Sequence, residues 1–114
     1  MKELEKALQE LKLPYEPQML AQFAAYMDGV LAWNQKVNLT RITERDEFII
    51  KHFIDSVICC GFEECKQAKE IVDVGTGGGF PGVPLAISQP LFKTYSRSQI
   101  FITNFISCSI SKIV

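Results

Sequence analysis

A run of glycines after a short apolar segment is the part of this sequence best suited to bind a ligand. The run is Asp73-Val-Gly75-Thr-Gly77-Gly-Gly79; Ile71-Val72 precedes it and Phe80-Pro81-Gly82-Val-Pro84-Leu-Ala-Ile87 follows it. This order predicts a strand, a glycine loop and a helix. Glycines permit positive φ and allow a ligand to come close to the main chain. The sequence therefore predicts a cofactor site at the carboxyl end of the strand.

Two kinds of cofactor are compatible with these glycines. A strand that ends in Asp-x-Gly-x-Gly-x-Gly resembles the first motif of the Rossmann-like methyltransferases that bind S-adenosylmethionine. The series Gly77-x-Gly79-x-x-Gly82 also fits the dinucleotide fingerprint G-x-G-x-x-G. The glycines alone therefore do not choose between the two cofactors.

The residues of the loop each have a ligand-binding and a structural interpretation. Asp73 would orient the loop or contact the amino-acid end of a cofactor, or would instead bond only to nearby N–H groups. Gly75, Gly77 and Gly79 would lie against the cofactor or serve as turn glycines. Phe80 is either a core aromatic at the start of the helix or a lid over bound ligand.

A second group of polar residues lies on one helix face. His52, Asp55 and Ser56 are spaced at i, i+3 and i+4. They do not predict a hydrolytic triad, because neighbours on one helix lack the geometry for nucleophilic attack. We expect a polar face toward a cleft or a hydrogen-bond network on the helix surface.

The segment from Trp33 to Thr40 mixes an aromatic ring with amide and hydroxyl groups. Nucleic-acid bases can stack on such a ring. The interpretation we prefer is a buried Trp33, with the amides of Asn34 and Asn38 closing a loop.

Composition and charge are those of an ordinary globular protein. The 114 residues are 47% hydrophobic and 22% charged. The net charge of −1 gives no overall basic field that would indicate a nucleic-acid partner, although a local basic patch can bind nucleic acid without such a field. No apolar run approaches the roughly 20 residues of a membrane helix, so we expect a cytoplasmic protein. No C-x-x-C spacing occurs and His52 is the only histidine, so we expect reduced thiols and no metal site. The cysteines are Cys59, Cys60, Cys65 and Cys108.

Three helices are expected before the sheet. Leucines at helical spacing mark the first up to Pro14, and Pro17 suits the first turn of the second. Thr43 followed by Asp46 or Glu47 could cap the third. The apolar positions of the third helix are Ile49, Ile50, Phe53, Val57 and Ile58. Residues 66–70 are polar, so the sheet should begin near residue 70.

The last 27 residues differ in character from the rest. All 13 acidic residues of the chain lie at or before Asp73, whereas the tail from residue 88 carries only Lys93, Arg97 and Lys112 as charged residues. Residues 100–106 could form a strand. A sheet made only of a strand near residue 70 and this possible second strand is marginal and cannot cover the helix after the glycine loop. We therefore expect Val83, Leu85 and Ile87 of that helix to be exposed.

Three segments together resemble one family. They are Trp33-Asn34-x-x-Val37-Asn38-Leu39-Thr40, His52-Phe53-x-Asp55-Ser56 and Val72-Asp73-Val-Gly75-Thr-Gly77-Gly-Gly79-Phe80-Pro81-Gly82. The family is the small-subunit ribosomal RNA methyltransferase G family, also called glucose-inhibited division protein B. The resemblance covers residues 1–87. It implies an S-adenosylmethionine-dependent enzyme, a monomer when complete, that methylates N7 of a guanine in 16S ribosomal RNA. Gly75 and Phe80 fall on the family's cofactor-binding positions, and Gly77 and Gly79 on its glycine loop.

The tail departs from that family. In the family, the second strand ends in an acid that binds the cofactor's ribose, and later segments complete the pocket. We expect none of these features within residues 88–114, since no acid follows Asp73. The tail resembles an out-of-frame reading after about residue 88, so we expect a truncated, inactive form whose catalytic residues cannot be assigned.

The fold class predicted is α/β, with N-terminal helices followed by the start of a Rossmann-like methyltransferase sheet that is incomplete here. The expected regions are residues 1–62, helical; 63–87, the first strand, glycine loop and helix; and 88–114, the atypical tail. The alternatives are a fragment of an NAD(P)-dependent oxidoreductase and a non-enzymatic helical module that binds RNA or protein.

Overall fold

Helices form most of the chain before residue 70. The computed structural model describes residues 1–74, 77–89 and 93–97. Helix α1 spans Lys2–Glu10 and α2 spans Pro17–Asn34. A third, continuous helical segment, α3, consists of an α-helical part (Arg45–Phe48), a π-helical part (Ile49–Ile54), a second α-helical part (Asp55–Val57) and a 3₁₀ turn (Ile58–Gly61). A short helix, α4, spans Glu63–Gln67.

Helix α2 begins and ends where the sequence predicts, whereas α1 ends at Glu10, earlier than the predicted limit at Pro14. Leu4 and Leu8, one turn apart, are fully buried on α1. Pro17 occupies the first turn of α2, where a missing N–H removes no helical hydrogen bond. The polar segment after Trp33 ends α2 as expected.

The start of α3 and its apolar face differ from the prediction. Glu44, not Thr43, is the N-cap residue, and no side chain caps the helix. Ile49, Phe53 and Val57 are buried as predicted, whereas Ile50 and Ile58 are 52% and 44% exposed. The π-helical part was not predicted either, because a periodicity of 3.6 residues assumes regular α-helical turns. Helix α4 occupies a stretch that we expected to be only a polar connection.

A strand–helix–strand unit follows the helices. Strand β1 (Glu70–Val74) lies where predicted, and α5 (Gly82–Ser88) leads to β2 (Lys93–Arg97). The strands are parallel, with Asp73 opposite Ser96. A strand at residues 93–97 was not predicted; parallel pairing uses backbone groups, which the edge of β1 offers to a neighbour of almost any composition. Strand β2 ends in Arg97 and not in the acid of the family's second strand. The strand predicted at residues 100–106 lies outside the described residues.

The N-terminal helices cover the helix of this unit. Val83, Leu85 and Ile87 are 1–3% exposed, so the prediction that they would be exposed is wrong. Helix α5 contacts α2 and α3, and Val83 and Ile87 join the main core, whose other buried members are Leu4, Leu8, Phe23, Tyr26, Met27, Val30, Phe48, Ile49, Phe53 and Val57. One core thus links the helical region to the glycine loop.

Strand β1 has one buried and one exposed side. Asp73 is buried, whereas Val72 and Val74 are 64% and 76% exposed. Alternate residues of a strand point to opposite faces. In the described part of the chain, no helix has the length and apolar character to cross a membrane.

Candidate functional site

Asp73 closes the glycine turn onto the helix that follows it. The residue lies near the carboxyl end of β1 and is 8% exposed. Its Oδ2 accepts a hydrogen bond of 2.8 Å from the N–H of Gly82, the first residue of α5. Burial raises the pKa of the Asp73 carboxyl, and the bond from Gly82 opposes this shift. The carboxylate therefore ties the two ends of the turn together. This contact agrees with the interpretation in which Asp73 bonds to nearby N–H groups.

Two glycines of the turn have positive φ for different structural reasons. Gly77 has φ of +56°, and among the described residues, its chain neighbours aside, no atom lies within 4 Å of the position a Cβ would take. Gly79 has φ of +101°, and a Cβ there would overlap the Tyr26 hydroxyl and lie 2.9 Å from Val83 Cγ2. Gly79 is thus required by packing, whereas the main chain at Gly77 borders open space. Gly75 lies outside the described residues.

Tyr26 fixes the turn from the side of the helices. It is 1% exposed, and its hydroxyl donates a hydrogen bond to the carbonyl oxygen of Gly78. Burial, followed by the nearby Asp73 carboxylate, raises the pKa of Tyr26, so the hydroxyl stays protonated and remains a donor. Sequence analysis missed this residue. The signal available was a tyrosine among the apolar residues of α2, since a buried tyrosine hydroxyl needs a partner.

Phe80 packs in a cluster of aromatic rings. It is half-buried, and its ring stacks on the imidazole of His52 with 4.1 Å between centroids and 8° between planes. The rings of Tyr26 and Phe48 lie 5.8 and 5.6 Å away. These contacts give Phe80 the packing role that was one of its two predicted interpretations.

His52 joins this cluster to the loop after α2. Its Nε2 lies 2.7 Å from Thr40 Oγ1, and Thr40 Oγ1 also accepts the N–H of Ile42. Burial lowers the pKa of His52, while the charge of Asp55 acts in the opposite direction. The neutral imidazole is therefore favoured between Thr40 and Phe80.

The trio of His52, Asp55 and Ser56 does not act as one constellation. The Ser56 hydroxyl donates to the backbone carbonyl of His52 rather than to its ring. Asp55 is exposed and Ser56 is buried. The partners of His52 come instead from Thr40 and Phe80, which sequence spacing could not reveal.

Asn34 closes the loop after α2 as predicted, whereas the predicted partner Asn38 is exposed and the tryptophan is not buried. The side-chain oxygen of Asn34 accepts hydrogen bonds from the N–H groups of Leu39 and Thr40 at 2.8 and 3.0 Å. Trp33 is 44% exposed, so the prediction of a buried ring is wrong.

The thiols and carboxylates of the described ranges assemble no metal-binding group. Cys59, Cys60 and Cys65 are free thiols. Burial raises the pKa of Cys60 to about 11, so this thiol is protonated at neutral pH.

Comparison with known proteins places these residues in one family. A family model described as rRNA small subunit methyltransferase G matches residues 19–101. Proteins named ribosomal RNA small subunit methyltransferase G from Clostridium novyi (strain NT) and Clostridium botulinum (strain Eklund 17B / Type B) are 47% identical over 87 residues and 49% identical over 82 residues. These alignments cover 76% and 72% of this chain, and 36% and 34% of the two relatives.

A third relative of the same name, from Alkaliphilus metalliredigens (strain QYMF), is 42% identical over 90 residues, which cover 79% of this chain and 38% of the relative. The chain thus spans about a third of the length of the curated relatives it matches. The match includes α2 from its third residue onward, α3, the glycine turn and β2. The chain belongs to the rRNA small subunit methyltransferase G family.

Proposed function

We propose that this chain supplies the N-terminal helices and the first cofactor loop of an S-adenosylmethionine-dependent methyltransferase. The proposed reaction methylates N7 of a guanine in 16S ribosomal RNA, in the cytoplasm. The observation that carries the proposal is the glycine turn, closed by the Asp73–Gly82 hydrogen bond and bordered by open space at Gly77. The relatives' printed names support the methyltransferase activity and its RNA substrate.

The proposed fold and regions follow the sequence interpretation. Strands β1 and β2 would begin a Rossmann-like sheet, to which further strands add. Residues 1–62 would form the helical region, residues 63–87 the first strand, loop and helix, and residues 88–114 a tail read out of frame. Support for the change after residue 88 comes from the charges, since every acid of the chain lies at or before Asp73.

The loop residues would divide the work of holding the cofactor. Gly75 and Gly77 would let its methionine part approach the main chain, and Asp73 would hold the turn in shape. Phe80 would border the bound cofactor with the part of its ring that packing leaves exposed. Gly79 would act through packing, because its Cβ position is filled by Tyr26 and Val83.

The chemistry requires little from the protein beyond positioning. S-adenosylmethionine, when bound, supplies an electrophilic methyl group on a sulfonium sulfur. Guanine N7 carries an in-plane lone pair, so no general base is needed, and holding the base in line provides catalysis by proximity. The residues of this chain would orient the cofactor loop and the RNA, and we assign none of them a proton-transfer step.

The 114 residues alone should not complete this site. The acid that would hold the ribose hydroxyls has no candidate after Asp73, because the sequence contains none there. We therefore propose that this polypeptide neither binds S-adenosylmethionine tightly nor methylates RNA by itself. The same missing acid weakens the NAD(P) alternative, which the comparisons do not favour.

A chimera tests the proposed function. Residues 1–88 of this chain would replace the aligned segment of the Clostridium novyi relative, and methyl transfer from labelled S-adenosylmethionine to 16S ribosomal RNA would be measured. Chemical cleavage at N7-methylguanine would locate the product. We expect the chimera to methylate guanine N7 and the 114-residue chain to show neither activity nor tight binding by calorimetry.

Gly77→Asn in the chimera tests the cofactor loop. Asparagine tolerates the left-handed conformation but places a side chain in the open space, so S-adenosylmethionine affinity should fall while the melting temperature stays close to that of the chimera. Phe62→Leu, at an exposed position remote in sequence from the turn, is the matched control. Undiminished cofactor affinity in Gly77→Asn would refute the loop assignment, and a product other than N7-methylguanine would refute the reaction.

A further inference from the structure

The end of α2 presents an exposed aromatic ring with a cation beside it. Trp33 is 44% exposed and Val37 is 43% exposed, and all residues from 35 to 38 are exposed. The Nζ of Lys36 lies 5.6 Å from the centroid of the Trp33 ring. An exposed indole beside an ammonium group is a combination that binds stacked, negatively charged ligands.

The charge around this ring differs from that of the chain as a whole. Residues 29–43 include Lys36 and Arg41 and no acidic residue, although the first 73 residues hold all 13 acids. Of the acids that flank this window, Asp28 is engaged in an ion pair with Arg45 at 2.6 Å, whereas Glu44 is exposed at the N-cap position of α3 and makes no capping hydrogen bond with its side chain. A locally basic surface on a chain of net charge −1 favours a polyanion over an ordinary protein surface as the partner.

The loop after Trp33 lies against the glycine turn. The Cβ of Leu39 is 3.7 Å from the Cβ position of Gly78. Thr40 bonds to His52, and the His52 ring stacks on Phe80. Asn34 holds the loop closed through Leu39 and Thr40. A ligand on this loop would therefore lie beside the turn on which the cofactor is proposed to bind.

We propose that residues 33–41, the Trp33 loop, bind a single-stranded segment of ribosomal RNA. The Trp33 ring stacks on a base, and Lys36 and Arg41 contact the adjoining phosphates. The identity of the RNA rests on the proposed function, whereas the stacking surface rests on the exposure, charge and position of the loop. An unpaired base next to the target guanine would reach this ring, since unstacked bases are the parts of RNA that proteins read.

Trp33 gives this proposal a direct test, because it is the only tryptophan of the chain. Its fluorescence would be followed as the 114-residue protein is titrated with a short, unpaired, guanine-containing oligoribonucleotide. Inorganic polyphosphate, which has charge but no bases, forms the parallel titration. We expect the RNA to quench the fluorescence and polyphosphate to leave it nearly unchanged.

Substitutions separate stacking from charge. Trp33→Leu should weaken RNA binding, measured by anisotropy of labelled RNA, by roughly tenfold, the size of one base stack, with polyphosphate binding unchanged. Lys36→Gln should lower the slope of log affinity against log salt by about 0.7, the value for one contact with a single strand. Phe62→Leu, which removes another exposed aromatic ring, should change neither quantity.

The competing outcomes are distinct. The Trp33 loop would be overturned as an RNA surface if RNA bound without quenching the fluorescence. It would also be overturned if RNA-free small-subunit proteins quenched the fluorescence and RNA did not. The titration uses no cofactor and no methyl transfer. Quenching by RNA with an inactive chimera would support the surface and refute the proposed function, while an active chimera without quenching would do the reverse.

Discussion

Gly79 is the position at which adding a single methyl group should destabilise this protein most among the described glycines of the turn. Its φ of +101° is a conformation that side chains rarely adopt, and the new Cβ would overlap the Tyr26 hydroxyl and approach Val83 Cγ2 at 2.9 Å. Backbone strain of this kind costs about 1–3 kcal/mol, and overpacking a core costs about 1–3 kcal/mol more. After about 0.4–1 kcal/mol is offset by the stiffer unfolded chain, Gly79→Ala should lower the free energy of unfolding by about 1–6 kcal/mol.

Gly77→Ala provides the matched comparison. Gly77 also has positive φ, but its Cβ would meet no atom within 4 Å in the described part of the chain beyond its own neighbours, so only the conformational cost of about 1–2 kcal/mol applies. Both variants would be unfolded with urea and followed by far-ultraviolet circular dichroism. The difference between them measures the packing contribution at Gly79.

A double-mutant cycle identifies the atom responsible. Tyr26→Phe removes the hydroxyl that the new methyl group would overlap, at the cost of the hydrogen bond to Gly78. In the Tyr26→Phe background, Gly79→Ala should therefore destabilise less, by a coupling energy of about 0.5–3 kcal/mol. Equal destabilisation by Gly77→Ala and Gly79→Ala, or an absent coupling to Tyr26, would refute the packing argument.

Two further predictions concern the titrating groups of the site. The folded-state pKa of Asp73 is raised, so the folded protein binds more protons than the unfolded chain just above pH 4, and Asp73 makes stability fall as pH rises through that window. Asp73→Asn should remove this contribution to the pH dependence of the melting temperature. The same dependence on acidic pH in both proteins would contradict the prediction. The folded-state pKa of His52 is lowered, so His52 makes stability fall as pH drops below about 6.5. His52→Phe, which retains a ring against Phe80, should melt with a weaker dependence on pH between about 5 and 7, and an unchanged dependence would show that another group titrates there.

The glycine turn and the elements beside it could be predicted from local sequence. An apolar run followed by closely spaced glycines and a proline-containing helix start leaves few alternatives, because the conformations that glycine and proline permit are set within a few residues. For the same reason Pro17 marked the start of α2, and the amides after Trp33 marked its end. The family resemblance came from the same segments, and the family comparison confirmed it.

Contacts between distant residues could not be predicted in this way. The Tyr26 hydroxyl bonds to the carbonyl of Gly78, 52 positions later in the chain. The Thr40 hydroxyl, in the loop between α2 and α3, bonds to the His52 ring on α3. The burial of Val83 and Ile87 likewise depended on helices far earlier in the chain. Spacing along a helix suggested that His52 works with Asp55 and Ser56, but the structure pairs its ring with Thr40 and Phe80.

The sequence by itself determined where the chain must turn, because glycine and proline restrict or release the backbone locally. Only the tertiary structure decided what each turn residue does. Gly77 and Gly79 are identical in chemistry and both have positive φ, yet one borders open space and the other is filled by Tyr26 and Val83. That difference arises from packing between elements distant in sequence, and steric fit in a dense core is a property of the assembled elements rather than of any one of them.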